Sequence, residues 1–126
     1  MSLPVRDFTF PTEVEPDLAV RLCMQPRADQ PSARDKLSGY RAPLTLDGDD
    51  VGSTAWFQFL PDGIARPGED VNATIVLIAP ELFLGRIVVG TTFTVSEGQI
   101  GIASGEVVEV LALVRNAERS GRLKNG

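Results

Sequence analysis

Asp47, Asp49 and Asp50 put three carboxylates into one short turn around Gly48. Such a run could ligate a hard cation such as calcium, because carboxylate oxygens suit that ion. A calcium loop of the helix-loop-helix kind, however, needs oxygen ligands at alternating positions and a closing glutamate. Val51 and Gln58 stand where ligands belong, so the turn of a hairpin is the expected role. Cys23 is the one cysteine. A reactive thiol needs a neighbouring cation or base, and the sequence marks none for it. There is no histidine, so the commonest general base and metal ligand is missing. A single cysteine also excludes thiolate metal clusters of the usual kind. The 17 acidic residues include no pair singled out by spacing. No GxxxxGK[ST] loop offers backbone N–H groups to nucleotide phosphates. The expectation is a chain that is not an enzyme and needs no cofactor or metal.

Charge narrows the partners. The formal net charge is −5, unevenly spread. Residues 1–114 hold 8 Lys/Arg against 16 Asp/Glu, a net of −8, whereas residues 115–126 set Arg115, Arg119, Arg122 and Lys124 against Glu118, a net of +3. Binding to a phosphate backbone draws on displaced counterions, so an acidic body is expected to repel nucleic acid. The last dozen residues read as a basic, flexible, solvated tail.

The elements that must position these groups are strands. The chain is 126 residues long, and 43% of them are hydrophobic, enough for one domain with a core that needs no staples. Residues 1–13 read as an extended or disordered lead-in, residues 14–114 as the domain. Leu18, Val20, Leu22 and Met24 alternate with Ala19, Arg21 and Cys23, the period of a half-buried strand. Residues 25–38 are a polar, proline-rich loop. Pro43–Leu46 form a short strand, and Ala55, Phe57 and Phe59 alternate with Trp56, Gln58 and Leu60 in the next. The turns PDG at 61–63 and RPGED at 66–70 belong to one tight connection. Val71 to Ile78 follow as a strand that begins half-exposed and ends apolar on both faces, stopped by Pro80. LFLGRIVV at 82–89 reads as a strand kinked at Gly85. A strand at 91–98 and a long glycine-rich one from Ile100 complete the set. Six or seven strands with Gly/Pro punctuation predict an all-β barrel or sandwich, and closure removes exposed edges. Small barrels are filled by their own side chains, so no large internal cavity is expected.

The motifs GYR (39–41), LPDG (60–63), PGEDV (67–71), TIVLIAP (74–80), FTVSEG (93–98) and GEVVEVL (105–111) occur in an order that resembles the C-terminal β-barrel domain of elongation factor Tu and related translational GTPases. The resemblance covers about residues 14–113. It implies a six-stranded antiparallel closed β-barrel of Greek-key type, here without the GTPase domain. In the family this barrel helps to hold the T-stem of aminoacyl-tRNA. The family's Arg-His-Thr-like segment would fall near Ser32, Ala33 and Arg34, and its arginine after the Glu-Gly turn at Ile100. Those contacts are lost here.

The functional expectation is therefore a non-catalytic protein-binding module, an orphan barrel that can self-associate. The alternative is a translation accessory that touches tRNA or a translation factor through Tyr40, Arg41 and the basic tail. Candidate surface residues are Tyr40, Arg41, Trp56, Leu82, Phe83, Glu97 and Gln99. The apolar run at 75–89 is interrupted by Pro80, Glu81, Gly85 and Arg86 and is too short to span a bilayer. With no secretory leader evident behind Arg6, a cytoplasmic location is expected.

Overall fold

The computed structural model describes residues 15–26 and 34–125, with side chains as far as Arg119. The lead-in expected over residues 1–13 and the middle of the 25–38 loop lie outside the described residues. Among the described residues eight strands run in chain order: β1 (Leu18–Met24), β2 (Lys36–Leu37), β3 (Tyr40–Leu46), β4 (Ser53–Leu60), β5 (Ile64–Ala65), β6 (Asp70–Leu77), β7 (Thr92–Glu97) and β8 (Ile100–Val110). One helix, α1 (Leu113–Asn125), follows them.

Six strands close into an antiparallel barrel in the order β1-β6-β4-β3-β7-β8, with β8 returning to β1. Strands β3, β4 and β6 are consecutive neighbours, and β7 comes back by a long connection to lie beside β3. That is the Greek-key order. The alternation read from the sequence sets the inner face. Leu18, Val20, Leu22 and Met24 from β1 meet Phe57 and Phe59 from β4, Ile75 and Leu77 from β6, and Phe93 and Val95 from β7, all buried. The space left among Leu22, Tyr40, Phe59 and Ile102 is about 10 Å³, too little for a ligand. Hydrophobic burial of roughly 25 cal/mol per Å² makes this interior the main stabilising term.

β8 bends twice. Its pairing slips between Ala19 and Val20 of β1 and again between Val95 and Ser96 of β7. At each slip two successive residues share a face: Ile102 and Ala103 are both buried, Val108 and Glu109 both exposed. A bulge adds one residue and bends its strand, which lets β8 serve two neighbours. Gly105 sits between the bends because a Cβ there would run into the Phe93 ring and come within 2.9 Å of Leu22 Cδ2.

Two expectations need correction. Residues 82–89 are not a strand. Pro80–Phe83 form a 3₁₀ turn, and 84–90 are turns and loop. Proline at the first turn costs no hydrogen bond there, and Gly85 takes φ 74°, a conformation that ends extended structure. The apolar residues therefore sort by turns: Phe83 and Ile87 join the core while Leu82, Leu84, Val88 and Val89 point outward. The basic segment, expected as a flexible tail, forms helix α1 over Leu113–Asn125. Leu113, Asn116 and Ala117 recur at three- and four-residue spacing and are buried, which is one helical face.

Candidate functional site

The barrel has two dissimilar ends. At one stands the β2–β5 ribbon, paired through Lys36 with Ala65 and Leu37 with Ile64, with Ala65 in the core. It carries Lys36 to Glu97, with Nζ 2.9 Å from Oε2. The Tyr40 hydroxyl donates to the same oxygen, and the Lys36 ammonium lies 5.2 Å from the centre of the Tyr40 ring. Burial, then the hydrogen bond to Glu97 and its negative charge, push the Tyr40 phenol far above the usual tyrosine range. Burial pushes Glu97 upward, but the hydrogen bonds from Tyr40 and Lys36, with the charges of Lys36 and Arg34, outweigh it and hold the carboxyl below its ordinary value. Two of the residues singled out in the sequence, Tyr40 and Glu97, thus meet. Gln99 is exposed on the β7–β8 turn beside them. The cluster is anchored on both sides, a locked hydrogen bond rather than a proton donor poised for exchange.

On the outer wall Arg41 and Trp56 are cross-strand partners, the guanidinium 5.9 Å from the indole centre. A stacked pair of this kind at a surface contributes about 0.5–1 kcal/mol. Arg41 is thereby held by an aromatic face.

The second end is plugged. Phe83, Ile87 and Leu113 enter the same core as the strands, and α1 packs on the 3₁₀ turn. Asp17 fixes the plug. Fully buried, its carboxylate accepts the Leu77 N–H at 2.7 Å and the Asn116 amide at 2.8 Å. Asn116 also donates to the Glu15 carbonyl at 2.8 Å, and the N–H groups of Leu111 and Ala112 bond to Asp17 and Pro16. Burial raises the Asp17 carboxyl above its ordinary value, against the opposing hydrogen bonds from Leu77 and Asn116. The sequence signal for this lock was an asparagine at the inward phase of a helical pattern, which reading the segment as a tail concealed.

The acidic turn takes up hairpin duty. Asp47 accepts from the Thr92 hydroxyl. Asp49 binds Arg86 through both carboxylate oxygens, at 2.7 and 2.8 Å. These bonds tie the 86–92 loop down at the plugged end, where Val88 N–H bonds the Thr91 hydroxyl and Gly90 N–H the Val107 carbonyl. No three metal-ligating side chains converge among the described residues. Cys23 is exposed, and its thiol is pushed up by a hydrogen bond to Asp70, then by burial and the Asp70 charge, the opposite of activation.

Outside the plug, aliphatic side chains stay in solvent. Leu82 is 58% exposed, Val88 and Val89 66% each, and Ile78, Leu84 and Val114 are exposed with them. Phe83, expected on that surface, is 5% exposed and belongs to the core. Single exposed aliphatics are ordinary; these six lie on segments gathered at one end and make up its apolar apron. Among the described residues no helix is long and apolar enough to cross a membrane.

Comparison with known families finds no family model that matches the chain, and no curated protein matches it.

Proposed function

We propose that this chain is a non-catalytic protein-binding module, a barrel of the elongation-factor-Tu third-domain type, whose working surface is the outside of the plugged end. Its occupant is a second copy of the chain. One observation carries the reading: the segment from Leu82 to Val89 splits its apolar residues, sending Phe83 and Ile87 inward to close the barrel and leaving Leu82, Leu84, Val88 and Val89 in water. The inward pair accounts for the closure of the fold. The outward four do nothing for it, and removing them from water on association would stabilise a complex. Sedimentation velocity over a concentration series tests this. The native chain is expected to associate, and Val88→Asp with Val89→Asp to remain monomeric with its fold intact. A native chain that stays monomeric at high concentration contradicts the reading.

A second reading, a translation accessory that holds tRNA, is favoured by one observation: Arg115 and Arg119 stand exposed on α1. Titration with tRNA at low salt, with Arg115, Arg119, Arg122 and Lys124 made neutral in parallel, tests it. Affinity that those changes do not touch ends the α1 version.

A further inference from the structure

The outer wall where β1, β8 and β7 lie side by side holds an open groove of about 460 Å³. Asp47, Asp70, Glu106 and Arg21 stand around it, with Thr92 and Ser104 between them. Strand register sets this rim: Glu106 lies opposite Arg21 on one side and Thr92 on the other, and Cys23 lies between Asp70 and Ser104. Three carboxylates face one guanidinium, so the groove is negative. Asp47 is engaged by Thr92; Asp70 and Glu106 form no ion pair among the described residues.

The same chain carries the complementary charge. On α1, Arg119 is exposed, and exposed Arg115 reaches only Glu15, at 3.2 Å. At its Glu106 edge the groove lies beside the apron, because the Val88–Thr91 loop is bonded to Val107, next to Glu106. A molecule with two complementary patches next to each other can pair with its copy about a two-fold axis, each patch meeting the other's opposite.

We infer that the groove receives α1 of a second copy, with Arg115 and Arg119 seated against Asp70 and Glu106, and that the contact is made twice in the pair. This rests on the self-association proposed above and names the surface that accepts the plugged end. Charge complementarity sets register and suppresses wrong partners more than it adds raw affinity, so the apron supplies the adhesion and the groove chooses the seat.

Charge reversal with mixing tests it. One variant carries Asp70→Lys and Glu106→Lys; the other carries Arg115→Glu and Arg119→Glu. All four positions are exposed, and circular dichroism checks that both variants fold. In sedimentation velocity each variant alone is expected to pair ~100-fold more weakly than the native chain, since like charges brought together oppose association strongly. An equimolar mixture is expected to restore pairing as a mixed dimer, and native pairing to weaken as salt rises. Variants that pair as well as the native chain overturn the groove assignment and leave the apron reading standing. A mixture that stays monomeric also overturns the groove. A monomeric native chain overturns both.

Discussion

The side-chain amide of Asn116 lies 2.8 Å from a carboxylate oxygen of Asp17, ninety-nine residues away in sequence, and both groups are buried. This bond joins α1 to the residue that leads into β1 and closes the plugged end. Asn116→Ala removes a donor to a buried carboxylate, a change that costs about 2 kcal/mol. Urea unfolding measures it. A loss below ~0.5 kcal/mol would show that the helix is held by its apolar face alone.

Asp17 makes stability depend on pH with an unusual sign. Its folded-state carboxyl is raised above the ordinary value of 3.8. The folded chain thus holds the proton more tightly than the unfolded chain, and Asp17's contribution is fullest below that ordinary value. It declines as pH rises through the folded value. Denaturation at a series of pH values from acid to neutral, compared with Asp17→Asn, isolates this term. The native chain is expected to lose ground to the variant as pH rises. A difference that does not vary with pH would contradict the assignment.

Glu97 works in the other direction, and Tyr40 reports on it. The carboxyl is held below its ordinary value by Tyr40 and Lys36 against the effect of burial, so its stabilising contribution is present above the ordinary carboxylate range and lost as pH falls through the folded value. Tyr40 is the one tyrosine in the chain, so phenolate absorbance reads it alone. The folded protein is expected to show no ionisation near the usual value of ~10, and the step to appear only on unfolding or in Glu97→Gln at lower pH. A complete step near ~10 in the folded native chain would mean that the Tyr40–Glu97 bond does not form in solution.

The sorting of the 82–89 segment is testable one residue at a time. Phe83→Ala empties a core position and is expected to cost ~3–5 kcal/mol. Leu82→Ser, its exposed neighbour, is expected to shift stability by less than ~0.5 kcal/mol. Thermal or urea unfolding of the pair tests this sorting, and equal effects would contradict the plug.

The barrel was legible because its strands alternate cleanly: Leu18 to Met24 and Ala55 to Phe59 leave one choice of inner face. The two bulges of β8 break that alternation, and the small residues at 101 and 103–105 hinted at a bend without fixing its place. The 82–89 run was misread because a short apolar segment looks the same as a strand or as turns, and the arbiter is tertiary: Phe83 and Ile87 find the end of the core. Of the expected surface residues, Arg41 meets Trp56 because strand pairing sets that contact, and Tyr40 reaches Glu97 by a side-chain hydrogen bond beyond the paired register of β3 and β7. Lys36 escaped notice because the β2–β5 ribbon that delivers it has two residues on each side, too few to leave a periodic trace. The acid-lined groove was invisible in sequence because four strands and loops far apart in the chain contribute to it.

Where two copies touch decides whether the plugged end is the working surface. Backbone amide shifts, followed by NMR through a dilution series of the native chain, locate that contact residue by residue. The expected result is concentration-dependent movement at Leu82, Leu84, Val88, Val89 and Val114, with Tyr40 and Gln99 at the far end of the barrel unmoved. Shifts that concentrate around Tyr40 and Gln99, or spectra that do not change with concentration, would contradict it.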